Sequence, residues 1–215
     1  MDRMLTLRWM CLCGIYPHED SRRFDSRLAD TWRLLWGDHV EYLVFGSDGA
    51  VTTRVEVGSG YWTQLWRPSM TRVIPPSLGL KFSVWWLFHY SGVFRNRDYS
   101  VVLIGEGDKV VHRSCIVPAY FRWPFMKAND CQISSTWTHP DYRGQGLATS
   151  GLTRAMALCG KPDRRFWYVC RQANHASIAV CKKAGFTYVG RARRTRRMGS
   201  SLLGQLIINS GEPSS

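Results

Sequence analysis

Thr136-Trp137-Thr138-His139-Pro140-Asp141-Tyr142-Arg143-Gly144-Gln145-Gly146-Leu147-Ala148 is the centre of the stretch Cys131 to Phe186 that decides how this chain folds. Ahead of it, Ile133, Ser135 and Trp137 alternate with Gln132, Ser134 and Thr136, the period-2 pattern of a strand. Pro140 ends that strand. Two glycines then allow the backbone to come close to a ligand, and Ala148, Leu152, Ala155 and Cys159 follow with helical spacing. A strand that feeds a glycine-rich turn opening a helix leaves unpaired amides at the helix N-terminus, where the helix dipole also favours anions. The stretch is therefore a candidate phosphate cradle.

Downstream, Phe166 to Cys170 form a short, continuously apolar strand. Asn174 suits an N-cap, Ile178, Cys181 and Ala184 keep helical spacing, and Gly185 can close that helix in the left-handed region. A further strand begins at Phe186. These motifs make the chain resemble the GNAT acyltransferase superfamily. Its Arg/Gln-x-x-Gly-x-Gly/Ala signature is matched by Arg143, Gly146 and Ala148, and its downstream pattern by Asn174, Ser177, Cys181, Gly185 and Phe186. The recognisable part runs from about residue 99 to 190.

The resemblance implies an α/β fold: a mixed, mostly antiparallel central sheet splayed at the acyl-CoA site, with helices on both faces. It implies acetyl-CoA, or another acyl-CoA, as co-substrate, a small-molecule amine as acceptor, and no metal. The backbone of Arg143, Gly144, Gln145, Gly146, Leu147 and Ala148 would hold the donor pyrophosphate. Thr136 and Thr138 would pair with the pantetheine arm, a backbone amide at Trp137 would hold the thioester carbonyl, and Asn174 with Ser177 would contact the arm. Cys181 departs from the pattern, standing where many members carry a tyrosine as general acid. A thiol, with a reference pKa of about 8.5, is able to protonate a thiolate, but free cysteines are more often packed inside. No glutamate on the Cys131–Thr138 strand offers a general base, which leaves His112, His139 and Asp130 as the nearest titratable groups.

Composition fits a globular chain of 215 residues, 45% hydrophobic and 21% charged, long enough to bury a core. The net charge of +13 suits a polyanionic donor and leaves charge to spare for an acidic acceptor. A nucleic-acid partner is not favoured, because no RRM or KH signature accompanies the charge. Seven cysteines at irregular spacing support neither zinc nor a disulfide framework, and they fit a reducing cytoplasm. No apolar span reaches membrane length. The oligomeric state is left open, a homodimer included.

Residues 1–38 read as an extension with a helix expected over Asp25 to Trp36, residues 39–210 as the acyltransferase domain, and residues 211–215 as a tail. Val40 to Phe45 and Val51 to Val57 read as a hairpin, and Tyr99 to Ile104 with Lys109 to Val117 as a second. Leu80 to Tyr90 is aromatic, and its period does not separate helix from strand. Tyr120, Arg122, Trp123 and Phe125 read first as a loop packed against the sheet; their flat apolar faces beside a cation also suit an acceptor wall for an amino sugar or nucleotide-linked amino sugar. Arg191 to Arg197 holds five arginines, read as a solvated edge or a phosphate clamp. The expectation is thus an N-acetyltransferase. Its competitors are a non-catalytic acyl-CoA-binding module and an acetyltransferase acting on a protein or nucleic-acid-associated substrate.

Overall fold

The computed structural model describes residues 41–47, 58, 60–195 and 204–209. Eight strands form one open sheet in the order β2-β3-β4-β5-β6-β1-β7-β8. In chain order they are β1 (Tyr42–Ser47), β2 (Tyr61–Trp66), β3 (Ser100–Glu106), β4 (Lys109–Pro118), β5 (Cys131–Thr138), β6 (Phe166–Arg171), β7 (Thr187–Arg194) and β8 (Leu206–Asn209). Among the described residues three α-helices accompany them: α1 (Ser83–Tyr90), α2 (Leu147–Cys159) and α3 (His175–Lys183). Every pairing is antiparallel except that of β5 with β6. The fold is the mixed, mostly antiparallel α/β architecture that the sequence implies.

The two faces of the sheet carry separate cores. β3 is buried on both sides, and that is why it reads as an unbroken apolar run: Val101 and Leu103 point to one core, Val102 and Ile104 to the other. The first core includes Trp66, Tyr99, Tyr120, Trp123 and Trp167, with Val84 and Trp85 of α1. The second joins Leu152, Ala155 and Met156 of α2 and Cys181 of α3 to Ile116, Ile133 and Phe166. Helices thus cover both faces. The ambiguous aromatic segment resolves as the helix α1, preceded by a short 3-10 turn at Leu80–Phe82.

Two expectations need correction. β1 does not form a hairpin with the residues after it, because it lies between β6 and β7 and both of its edges are used. Residues 51–57, like the helix expected at 25–36 and the tail, lie outside the described residues. The wall expected at Tyr120–Phe125 is core instead. Tyr120, Arg122 and Trp123 are 2%, 4% and 2% exposed, and Phe125 packs its ring 4.9 Å from that of Trp167. The loop follows Pro118, which pairs with Cys131, so it sits at the closed end of β5. Aromatic rings with little polar surface lower the free energy most by leaving water.

Asp130 has a structural task at the same end. Its carboxylate accepts from Lys127 N, Arg165 N and Trp167 Nε1 at 2.8, 3.2 and 2.9 Å. Arg164 fastens the end of α2 by donating to the Cys159 carbonyl at 2.5 Å and pairing with Asp98. In β7, Arg191 and Arg193 are exposed and alternate with buried Gly190 and Ala192, so they lie on its solvent face. Arg196 and Arg197 fall outside the described residues.

Candidate active site

The sheet splits between β5 and β6. The two strands pair in parallel only over Cys131–Ile133 with Phe166–Tyr168, and the last five residues of β5 have no partner in β6. The split begins where β5 bulges: between the pairs Cys115–Ser134 and Arg113–Trp137, β4 has one residue and β5 has two. The bulge is carried by Ser135 at φ 49°, a rare conformation for a residue with a side chain. Extra twist from such a bulge swings the end of β5 away from its neighbour.

Beyond the split lies the glycine turn. His139 N donates to Val111 O at 2.8 Å and keeps the strand end on β4. Pro140–Tyr142 then make one 3-10 turn, Gly144 and Gly146 take φ 80° and 78°, and α2 starts at Leu147. Gly146 caps α2 with no side chain over the first amides. A Cβ added at either glycine would meet nothing within 4 Å, so the space above the turn is open to a ligand. The first amides of a helix lack intrahelical partners, which makes this opening suited to an anion.

Side chains hold the turn in place. Tyr142 Oη donates to Glu106 Oε2 at 2.6 Å, Tyr61 Oη to Gln145 Oε1 at 2.8 Å, and Arg143 Nε to Thr138 O at 3.3 Å. Lys109 sits 5.3 Å from the centre of the Tyr142 ring. The Arg143 side chain is thus tied to the end of β5, while its backbone belongs to the exposed turn.

The bond from His139 to Val111 also decides which way the strand's amides face. It makes 139 and 111 a hydrogen-bonded pair, so Trp137 with Arg113 is the next such pair and Thr138 with His112 is not. The Trp137 amide is therefore directed to β4. Thr138 presents its backbone to the gap, and the amide available near Trp137 is that of Thr138. The bulge sets Thr136 beside Ser114, whose hydroxyl is 3.3 Å from that of Thr136.

Beneath this edge runs a polar chain that the sequence does not announce. His112 is 0% exposed, with Nδ1 2.8 Å from Thr138 Oγ1 and Nε2 3.0 Å from Ser114 Oγ. Burial, with Arg113 adding to it, lowers its pKa to about 3, so His112 is neutral and serves to hold β4 and β5 together. His139 lies at the mouth, its Nδ1 3.5 Å from Asp141 and its ring edge-on to both Trp137 and Tyr142.

On the other side, Asn174 caps α3, its Oδ1 accepting from Ser177 N at 3.1 Å. Cys181 is 0% exposed and its Sγ donates to Ile178 O at 3.2 Å. Burial pushes its thiol up to about 12, so it stays protonated, with that hydrogen turned to the backbone of its own helix, and packs in the core. Tyr168 was missed by the sequence reading. It forms the last β5–β6 pair, with Ile133, at the vertex of the split; burial raises the pKa of its hydroxyl, and the nearby Ser177 and Thr136 side chains oppose that rise. Its only trace in the sequence is one phenol inside an apolar strand. No cluster able to hold a metal occurs among the described residues, and none of their helices is long and apolar enough to cross a membrane.

Residues 61–186 match the family model described as acetyltransferase (GNAT) family. Among solved structures, the chain is similar to a GCN5-related N-acetyltransferase from Sphaerobacter thermophilus, at 16% identity over 79% of this chain and 54% of that one, with a TM-score of 0.50. It is also similar to a putative acetyltransferase of the GNAT family from Novosphingobium aromaticivorans, at 15% identity over 72% of this chain and 62% of that one, with a TM-score of 0.46. The chain thus spans less than two thirds of the length of either. Identity at this level speaks to the fold alone. No curated protein matches the chain.

Proposed function

Because the chain belongs to the acetyltransferase (GNAT) family, we propose that it transfers an acetyl group from acetyl-CoA to the amine of a small molecule. The observation that carries the reading is the meeting of two features at one end of β5: the open glycine turn before α2 and the gap between β5 and β6. In the reaction the amine nitrogen forms the new amide bond, the carbon–sulfur bond breaks, and the proton lost by the amine ends on the thiol.

Acetyl-CoA supplies the activated thioester, and the chain supplies positions. The turn amides from Arg143 to Ala148 bind the pyrophosphate. The backbone of Thr138, with Thr136 beside the bulge, pairs with the pantetheine arm as an added strand would, and Asn174 with Ser177 closes the far side. The Thr138 N–H is the donor aimed at the gap, where a carbonyl needs one. With Cys181 withdrawn into the core, Tyr168 is the hydroxyl at the vertex. The Ser177 and Thr136 side chains lie near it and oppose the rise in pKa that burial causes. The five described cysteines are all free and buried, which supports placing the protein in a reducing cytoplasm.

A second reading, a non-catalytic acyl-CoA-binding module, is favoured by one observation, the burial of Cys181 where the family's acid would stand. Calorimetry with acetyl-CoA and thiol detection of CoA release over a panel of amines separate the two. Binding with amine-dependent release that falls at least tenfold in Tyr168→Phe supports the enzyme and its acid. Binding without release supports the module, and absence of binding removes both.

A further inference from the structure

Arg113 is an arginine with no acidic partner among the described residues. It lies on β4, directly opposite Leu103 of β3 and Trp137 of β5, and its guanidinium carbon lies over the Trp137 ring, 4.6 Å from the ring centre. Leu103 belongs to the core that α1 covers, and directly opposite residues share a face, so Arg113 and Trp137 both lie on the α1 side. They sit one pair beyond the bulge, four residues past Ile133, the last residue of β5 that pairs with β6. Arg113 and Trp137 thus stand beside the gap on the α1 face, while α2 and α3 pack on the other.

A guanidinium taken partly out of water loses hydration that a carboxylate partner would restore. Ion pairs elsewhere show this chain providing such partners: Asp98 for Arg164 and Lys161, and Glu41 for Arg191. Arg113 forms no ion pair among the described residues, and its buried Nε has no hydrogen-bond partner. The Trp137 ring positions the guanidinium, a fork that a carboxylate fits with two parallel bonds.

Resting on the acetyltransferase reading above, we propose that Arg113, held over the Trp137 ring, binds a carboxylate of the acceptor, so that the substrates are amines that also carry a carboxylate, such as α-amino acids. The short span of an α-amino acid suits the short distance on β5 between Trp137 and the gap at Thr138. Arg113 selects the acceptor and leaves donor binding to the glycine turn on the other side of the strand.

Matched pairs of acceptors test this. Glycine against glycinamide, and phenylalanine against phenylalaninamide, differ only in the anionic group, and CoA release gives kcat/KM for each. The acid should be preferred at least tenfold in the wild type. Arg113→Gln should abolish that preference and Arg113→Lys should reduce it, both with unchanged acetyl-CoA affinity by calorimetry. If no free amine releases CoA, titrating the CoA complex with N-acetylglycine and N-acetylglycinamide makes the same comparison, and the acid should bind at least tenfold more tightly. Equal treatment of acid and amide by the wild type overturns the inference, even where Arg113→Gln fails to fold. A preference that survives in folded Arg113→Gln overturns it too, as does stronger turnover of amino-sugar phosphates than of any carboxylate. Each of these outcomes leaves the acetyltransferase reading standing, whereas loss of acetyl-CoA binding by the wild type removes that reading together with the inference.

Discussion

Replacing Gly151 by alanine sets two effects of opposite sign against each other. Gly151 is the fifth residue of α2, with no unusual backbone angle, and alanine in a helix interior is favoured over glycine by about 1 kcal/mol. On propensity alone Gly151→Ala stabilises. The new Cβ, however, would stand 2.0 Å from Nε2 and 2.6 Å from Cδ2 of His112, a separation no pair of atoms tolerates. The imidazole has no free direction, because it is fully buried between β4 and α2 and bonded at both nitrogens. Displacing it breaks both bonds, at about 1 kcal/mol each, and overpacks the site at a further 1–3 kcal/mol or so. Sterics win: after the propensity gain the variant should be less stable by about 2–4 kcal/mol.

Urea unfolding followed by tryptophan fluorescence measures this as a fall in the midpoint at unchanged slope. His112→Ala, alone and combined with Gly151→Ala, completes a cycle. Removing the ring should relieve much of the clash, with a coupling of at least about 1 kcal/mol between the two positions. The end of β5 moves with His112 through Thr138, so acetyl-CoA affinity should fall in Gly151→Ala as well. A variant as stable as the wild type, or more so, would refute the claim that glycine is there to make room for the histidine.

Four other outcomes are expected. His112 titrates near 3 when folded against the usual 6.5, so acid favours the unfolded chain; its contribution is complete above pH 6.5 and declines by about 1.4 kcal/mol per unit as pH falls toward 3. Urea midpoints measured across that window should depend less on pH in His112→Gln. Gly146→Val places a branched side chain at φ 78° over the open turn, costing about 1–2 kcal/mol, and acetyl-CoA affinity by calorimetry should drop; unchanged affinity in a folded variant removes the turn from the donor site. Cys181→Ala should keep most of the turnover and lose about 1 kcal/mol of stability, whereas a collapse of kcat at unchanged donor affinity would restore the thiol as proton donor. Trp123→Ala should cost about 3–5 kcal/mol in thermal or urea unfolding and leave acceptor preference unchanged, as befits a core ring.

How much of this was legible depended on the distance along the chain between partners. The path from β5 through the turn into α2 is local: alternation, a proline, two glycines and a helical period occupy consecutive residues, and all of it appears in the structure. The β3–β4 hairpin is local as well. By contrast, β1 joins strands more than a hundred residues away, and nothing in its six residues names β6 and β7 as neighbours. The aromatic segment at 120–125 shows a different limit, since rings beside an arginine have the same composition in a core and in a binding wall. His112 and Gly151 meet only once α2 has packed on β4. Arg113 meets Trp137 only because the bulge at Ser135 moves the register by one. A sequence pattern assigns residues to a face of an element; it does not say which residue of another element they face.

The placement of β1 explains why the gap stays open rather than closing. β5 keeps β4 to its last residue, and β6 keeps β1 along all six of its own. Each strand flanking the gap is therefore fully paired on its outer edge, and the unmet backbone groups all face inward. Were β6 an edge strand it could bend back to β5 and close the split, but β1, itself held by β7, fixes its course. The opening is then a fixed property of the sheet, set by the bulge on one side and by an inserted strand on the other. A ligand with an amide-bearing arm satisfies those inward groups without rearranging either strand, and an anion at the end of that arm arrives at the amides of the turn. On this argument substitutions that weaken the β1–β6 pairing should loosen donor binding although β1 touches neither the turn nor the gap, and the effect should appear in acetyl-CoA affinity before it appears in acceptor preference.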